Sequence, residues 1–300
     1  MTEMISTTGE AAPWQIPRPK IYQPGSGFWI GVAIIGAIDI LWLWHDSIAI
    51  EFKPTVSVIS FVIYYLGVAW LLRLGRPGFV RSTGARVSFA LAQTHAILTV
   101  TAPLSYLIVS LHLPLIDHPL RVADAVLGFD WQSFADVTLA KHQFTAKVLT
   151  WAYLSFYLQP FAILMICAAN PKLSEKEFVQ NYALSVIICV VIGGILPALG
   201  EPCPVWPLEL GEFERVWRGQ WHVLDFSTIQ GLVAFPSFHA AFAVIAVYAV
   251  RHSLPALLGL APINLLMLVS TAPVGGHYLI DIIGGVIAAG LSILCIRRLR

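Results

Sequence analysis

The chain has 300 residues, 57% of them hydrophobic and only 12% charged, with a formal net charge of +1. Such a balance is far from that of a soluble domain, and the near-neutral charge argues against nucleic acid as a partner. Residues 1–27 are polar and rich in Pro, Gly and Thr. They lack the basic-then-apolar layout of a cleaved leader and read as a flexible tail.

Eight apolar runs come next, near the roughly 20 residues that cross a bilayer. They are Phe28–Trp44, Thr55–Leu72, Val87–Leu111, Phe144–Ala168, Phe178–Leu199, Leu232–Val250, Leu254–Thr271 and Tyr278–Ile296. The seventh is the weakest, because Pro255, Pro262 and Pro273 interrupt or flank it. The expected fold is an all-α integral membrane bundle of about eight helices in one membrane domain, residues 28–300. Cys167, Cys189 and Cys295 fall inside spans and Cys203 in a loop, with no disulfide framework or zinc spacing. Asp39 in the first span reads as a buried carboxyl against a neighbouring helix. Gly193-Gly194 and Gly284-Gly285 read as close helix-packing sites.

Basic residues gather in alternate loops: Arg18 and Lys20; Arg73, Arg76, Arg81 and Arg86; Lys172 and Lys176; Arg251; and Arg297, Arg298 and Arg300. The positive-inside rule then predicts cytoplasmic termini. The opposite loops are acid-rich, including Asp117, Asp124, Glu201, Glu212, Glu214 and Asp225. Of these outer loops, Leu113–Gln143 has amphipathic character suited to an interfacial helix, and Gly200–Gln230 carries Trp206, Trp217 and Trp221 at headgroup level.

Two histidine motifs open the sixth and eighth runs on that outer side. One reads Phe235-Pro236-Ser237-Phe238-His239, the other Gly275-Gly276-His277-Tyr278-Leu279-Ile280-Asp281. His277 and Asp281 lie one helical turn apart, so the carboxylate can fix the imidazole tautomer and leave the other ring nitrogen as a nucleophile. Pro236 suits a first helical position, where the following N–H groups favour an anion. Ser237 can donate to a phosphate oxygen, and His239 can protonate a leaving alkoxide. A lone histidine at a helix end is more often an interfacial residue than a catalyst. The joint pattern of four polar side chains on one predicted face argues for catalysis.

Pro-Ser-x-His followed about forty residues later by Gly-His-x-x-x-Asp resembles the type 2 phosphatidic acid phosphatase superfamily. Phe-Pro-Ser-Phe-His and His-Tyr-Leu-Ile-Asp are more similar to its branch containing inositol phosphorylceramide synthase. The resemblance implies a six-helix catalytic core at roughly residues 87–296, with residues 28–72 as an accessory helix pair. It implies His277 as nucleophile, Asp281 as its orienting carboxylate, His239 as leaving-group acid and Ser237 as a phosphate ligand. Two family features are missing. The arginine six residues before the nucleophile is Thr271 here, and no lysine is followed seven residues later by Arg-Pro. Positive charge on the phosphoryl oxygens then falls to Lys147, Arg215 or Arg218.

The leading expectation is a metal-independent lipid phosphatase or phosphotransferase without a cofactor. It would act on a lipid phosphate at the extracytoplasmic face of a bacterial inner membrane, through a phosphohistidine. Water or a polyol or lipid alcohol would be the acceptor. Two rivals stand beside it. One is a metal-dependent hydrolase built on His222, His239, His277 and Asp281, which has no compact ligand motif. The other is a lipid or small-molecule transporter using Asp39 and the broken seventh run.

Overall fold

The computed structural model describes residues 26–75, 78–202, 208–229 and 231–299. Nearly all of the predicted tail, together with Cys203 and Trp206, lies outside the described residues. In chain order the helices are α1 (Ser26–His45), α2 (Phe52–Leu74), α3 (Phe79–Val109), α4 (Asp117–Val126), α5 (Trp131–Ala135), α6 (Gln143–Leu154), α7 (Gln159–Ala169), α8 (Glu175–Ile195), α9 (Leu208–Trp217), α10 (Phe238–Ala249), α11 (Leu254–Gly275) and α12 (Leu279–Arg298). Two-residue strands, β1 (Ala49–Ile50) and β2 (Val223–Leu224), pair in parallel.

The chain is an all-α membrane bundle. Among the described residues, α1, α2, α3, α8, α11 and α12 are long and apolar enough to cross a bilayer. Three of the eight expected spans take a different form. The fourth is not one helix: α6 and α7 meet at a 58° bend. Pro160 stands at the start of α7, where it removes an N–H and bars the preceding turn from continuing. Side chains bond across the bend. Gln159 Nε2 donates to Ser155 Oγ at 2.8 Å, and Asn264 Nδ2 on α11 donates to Gln159 Oε1 at 2.8 Å. The sixth expected span is a helix of only 12 residues, because residues 232–237 are non-helical and Ser237 caps it. The seventh, expected to be broken, is the continuous α11, with Pro262 and Pro273 inside it.

Helix α10 sits at the centre, packed against α8, α11 and α12. Ala240, Ala241, Phe242, Ala243, Ile245 and Ala246 are all fully buried. Phe238 and Phe242 of α10 meet Phe156, Phe178 and Tyr182 of the neighbouring elements in edge-to-face pairs with ring centroids 4.9 to 6.4 Å apart, the favoured aromatic geometry. Small residues let the helices close. A Cβ on Gly285 of α12 would overlap the Ser237 carbonyl oxygen, so only glycine allows α12 to lie this near the start of α10.

Helices α1 and α2 lie against α3 and leave most of their surface outward, with Ile30, Ile34, Leu41, Phe61 and Ile63 more than half exposed. This is the surface expected of helices facing lipid. Asp39 and Leu43 are the buried residues on α1, and Asp39, 4% exposed, has Oδ1 unpartnered. The loop after α1 is fastened to the far half of the chain through the bridge, where Ala49 N donates to His222 O and Glu51 N to Leu224 O.

The two ends of the bundle differ. At one end Arg86 pairs with Glu175, and Glu177 accepts from Arg251 and Tyr248. At the other end lie both histidine motifs, α4, α9 and the β1–β2 bridge.

Candidate active site

The second motif is shaped by the helix turn between α11 and α12. Gly276 closes α11 in the left-handed region (φ 66°, ψ 28°), where a side chain would be strained, and the chain reverses into His277. Asp281 Oδ2 then accepts the Tyr278 N–H at 2.9 Å and stands 3.4 Å from His277 Nδ1. The second contact is at ion-pair range and is not a formed hydrogen bond. Asp281 also reaches the first motif, since its backbone oxygen accepts the Ser237 N–H at 3.0 Å. One residue therefore ties the two motifs together.

Ser237 is fully buried at the N-cap of α10, its Oγ 3.5 Å from the Ala240 N–H and 3.4 Å from His277 Nε2. His277 thus faces the carboxylate with one ring nitrogen and the serine with the other. His239, two residues past the cap, is stacked on Tyr153 and tilted against Phe156. His239 Nε2, His277 Nδ1 and Asp281 Oδ1 are buried without hydrogen-bond partners. Buried polar atoms rarely stay unsatisfied, and sites of chemistry are where they do.

His239, His277, Gly275 and Gly276 line a cavity of about 1100 Å³. One end of it is polar, with Glu201, Glu212, Arg215, His222, Asp225 and Thr228. The other end is apolar, walled by Leu98, Ala102, Val186, Cys189 and Val190 within the bundle. At the polar end, the Ser227 hydroxyl and N–H hold the Asp225 carboxyl below its ordinary range.

The three expected cations are not equivalent. Arg215 lines the cavity, with Nη2 at 2.5 and 2.6 Å from the Glu212 carboxylate oxygens. Arg218 pairs with Glu214 at 3.5 Å and is not in the lining, and Lys147 is exposed on α6, also outside it. His222 lines the polar end, yet among the described residues no three His, Cys, Asp or Glu side chains are grouped as metal ligands.

Helix α4 was legible only as an amphipathic segment, and its acids turn out to hold the site. Asp124, 3% exposed, accepts the N–H of Leu279 at 2.8 Å and of Ile280 at 2.9 Å, capping α12 from outside the chain segment. Asp117 accepts the N–H groups of Leu199 and Gly200 at 3.0 Å and the Tyr278 hydroxyl at 3.0 Å. Arg121 donates to Tyr278 Oη and to Glu201 Oε1, both at 3.1 Å, and the tyrosine bond raises the guanidinium above its ordinary pKa. Glu201 N completes the seam by donating to Gly276 O at 2.7 Å. The signal available in the sequence was the seven-residue spacing of Asp117 and Asp124, which puts both on one helical face.

Fold and site together define an integral-membrane helical bundle with a paired-histidine pocket at one end. The chain belongs to the PAP2 superfamily, whose family model matches residues 118–295, more than half its length. The match runs from α4 to α12 and so takes in both histidine motifs. No curated protein and no solved structure gives a match.

Proposed function

We propose that the chain is a lipid phosphatase or phosphotransferase that works through a phosphohistidine. Membership of the PAP2 superfamily supports phosphatase-type activity on lipid phosphoesters in general. The observation that carries the finer reading is the way Asp281 joins the two motifs, placing its carboxylate at His277 and its carbonyl on Ser237.

His277 Nε2 forms a bond to phosphorus while the phosphorus–oxygen ester bond breaks, and the departing oxygen takes a proton from His239. Asp281 orients the attacking ring and balances its positive charge. Ser237 Oγ, beside Nε2, marks the position of one phosphoryl oxygen. In the second step water or an alcohol yields its proton to His239, attacks phosphorus and breaks the phosphorus–nitrogen bond. Arg215 is the assigned cation for the phosphoryl oxygens, in exchange for its Glu212 pair; Arg218 and Lys147 stand further from the reaction.

The apolar end of the cavity supports a lipid substrate, and the polar end supports a headgroup or an alcohol acceptor. Similarity of the two motifs to the inositol phosphorylceramide synthase branch favours transfer over hydrolysis. Residues 87–296 act as the catalytic core and 28–72 as an accessory pair. Charge distribution supports cytoplasmic termini and an extracytoplasmic site in a bacterial inner membrane. The test is a lipid-phosphate panel with and without polyol acceptors, in excess chelator, followed by product mass spectrometry. Free phosphate marks a phosphatase and a new ester a transferase. Turnover that survives His277→Ala in folded protein rejects the scheme.

The transporter reading rests on the bent α6–α7 span and the unpartnered Asp39. Lipid flux into proteoliposomes without phosphoester cleavage would favour it.

A further inference from the structure

Phosphoryl transfer through His277 calls for a hydrogen-bond donor close to both imidazoles. Arg215, the lining cation, is engaged by Glu212. Tyr153 occupies the right place. It projects from α6, is 6% exposed and lines the cavity. Its ring lies nearly flat on the His239 imidazole, with centroids 4.1 Å apart and an interplanar angle of 15°.

The far edge of the same ring reaches the other motif. A Cβ built on Gly275 would stand 2.8 Å from Tyr153 Cε2 and 3.0 Å from its hydroxyl oxygen. The same Cβ would lie 2.9 Å from His277 Cδ2. Phenol and nucleophile ring therefore converge on one glycine. A single side chain touches His239 with its face and approaches His277 with its hydroxyl.

We propose that Tyr153 is a further catalytic side chain, its hydroxyl donating to a non-bridging oxygen of the phosphoryl group under attack by His277. This role rests on the phosphohistidine reading of the same site. Negative charge spreads over those oxygens in phosphoryl transfer, and a fixed donor aimed at them is worth most in a site closed off from water. The phenol keeps its proton throughout, while proton exchange stays with His239. Its ring face adds a second effect, because an aromatic face attracts the imidazolium form of His239.

The experiment is calorimetric binding of orthovanadate, which presents phosphoryl-like oxygens, to the detergent-purified full chain. Tyr153→Phe keeps the stacked ring and should weaken vanadate binding about 10²-fold, the usual cost of one such donor. Tyr153→Leu should weaken it further and move its pH dependence, because the face on His239 is gone. Binding by Tyr153→Phe within twofold of the unaltered protein would overturn the proposal. If Tyr153→Phe does not fold, 3,5-difluorotyrosine at 153 keeps the packing and makes a more acidic donor. An unshifted pH profile of binding in that protein overturns the proposal as well. His277→Ala separates the two levels. Undiminished vanadate binding there removes the phosphohistidine scheme itself, whereas loss there with full binding by Tyr153→Phe rejects Tyr153 alone.

Discussion

The Asp124 carboxylate, itself buried, caps the half-buried Leu279 across 155 residues of chain. A cap of this kind is worth about 0.5–2 kcal/mol. Here the capped N–H groups closely follow the His277 turn, so the cap also helps set where the His277 ring points. Asp124→Ala should therefore lower the melting temperature modestly and turnover by a larger factor, with Asp124→Asn recovering part of both. Turnover that tracks stability alone would show that α4 only supports the fold.

Gly285 is a sensitive point for the same reason. A methyl group there would overlap the Ser237 carbonyl oxygen and stand 2.9 Å from the Ala240 Cβ. Overpacking of this sort costs about 1–3 kcal/mol and is relieved by separating α12 from α10. Gly285→Ala should spread the two motifs and depress kcat well before the protein unfolds. Kinetics and thermal melts on one preparation check this, and normal kcat contradicts it.

His239 serves both half-reactions in the proposed scheme. His239→Ala should cut steady-state turnover by about 10²- to 10⁴-fold, the range of general acid–base catalysis. Rapid quenching with radiolabelled lipid phosphate should show acid-labile, base-stable label on the His239→Ala protein and none on His277→Ala. Unchanged turnover in His239→Ala would remove its assigned role.

The three cations should separate in kinetics. Arg215→Ala, in the cavity wall, should raise KM or lower kcat by about tenfold or more. Arg218→Ala and Lys147→Ala, at exposed positions outside that wall, should change either constant by less than twofold, since exposed ion pairs contribute little. Equal losses in all three variants would contradict this ordering.

Much of the bundle could be read from hydropathy, because an apolar run of about twenty residues has few other uses. Pro160 was equally visible, yet the run Phe144–Ala168 read as one span since its hydropathy is unbroken. The bend sits at Pro160, and the Gln159–Asn264 bond beside it joins separate helices, 105 residues apart. Pro262 misled in the opposite direction, as membrane helices keep interior prolines that neighbours can accommodate. At the site, His277 and Asp281 are local partners at helical spacing and could be paired on sequence alone. Asp117, Asp124 and Tyr153 could not, because their roles exist only through partners on distant elements.

The brevity of α10 has a further consequence. Twelve residues rise about 18 Å, some 12 Å short of a 30 Å hydrocarbon layer. With its C-terminal end beside Glu177 and Arg251, its opening residue is countersunk beneath the rim that the longer neighbours reach. In the proposed scheme, a phosphoryl group held by His277 at the α11–α12 turn must therefore reach inward to meet His239 on α10. The polar lining, Glu201, Glu212 and Asp225 among it, is where the proposed scheme seats the water or alcohol that would decide between hydrolysis and exchange.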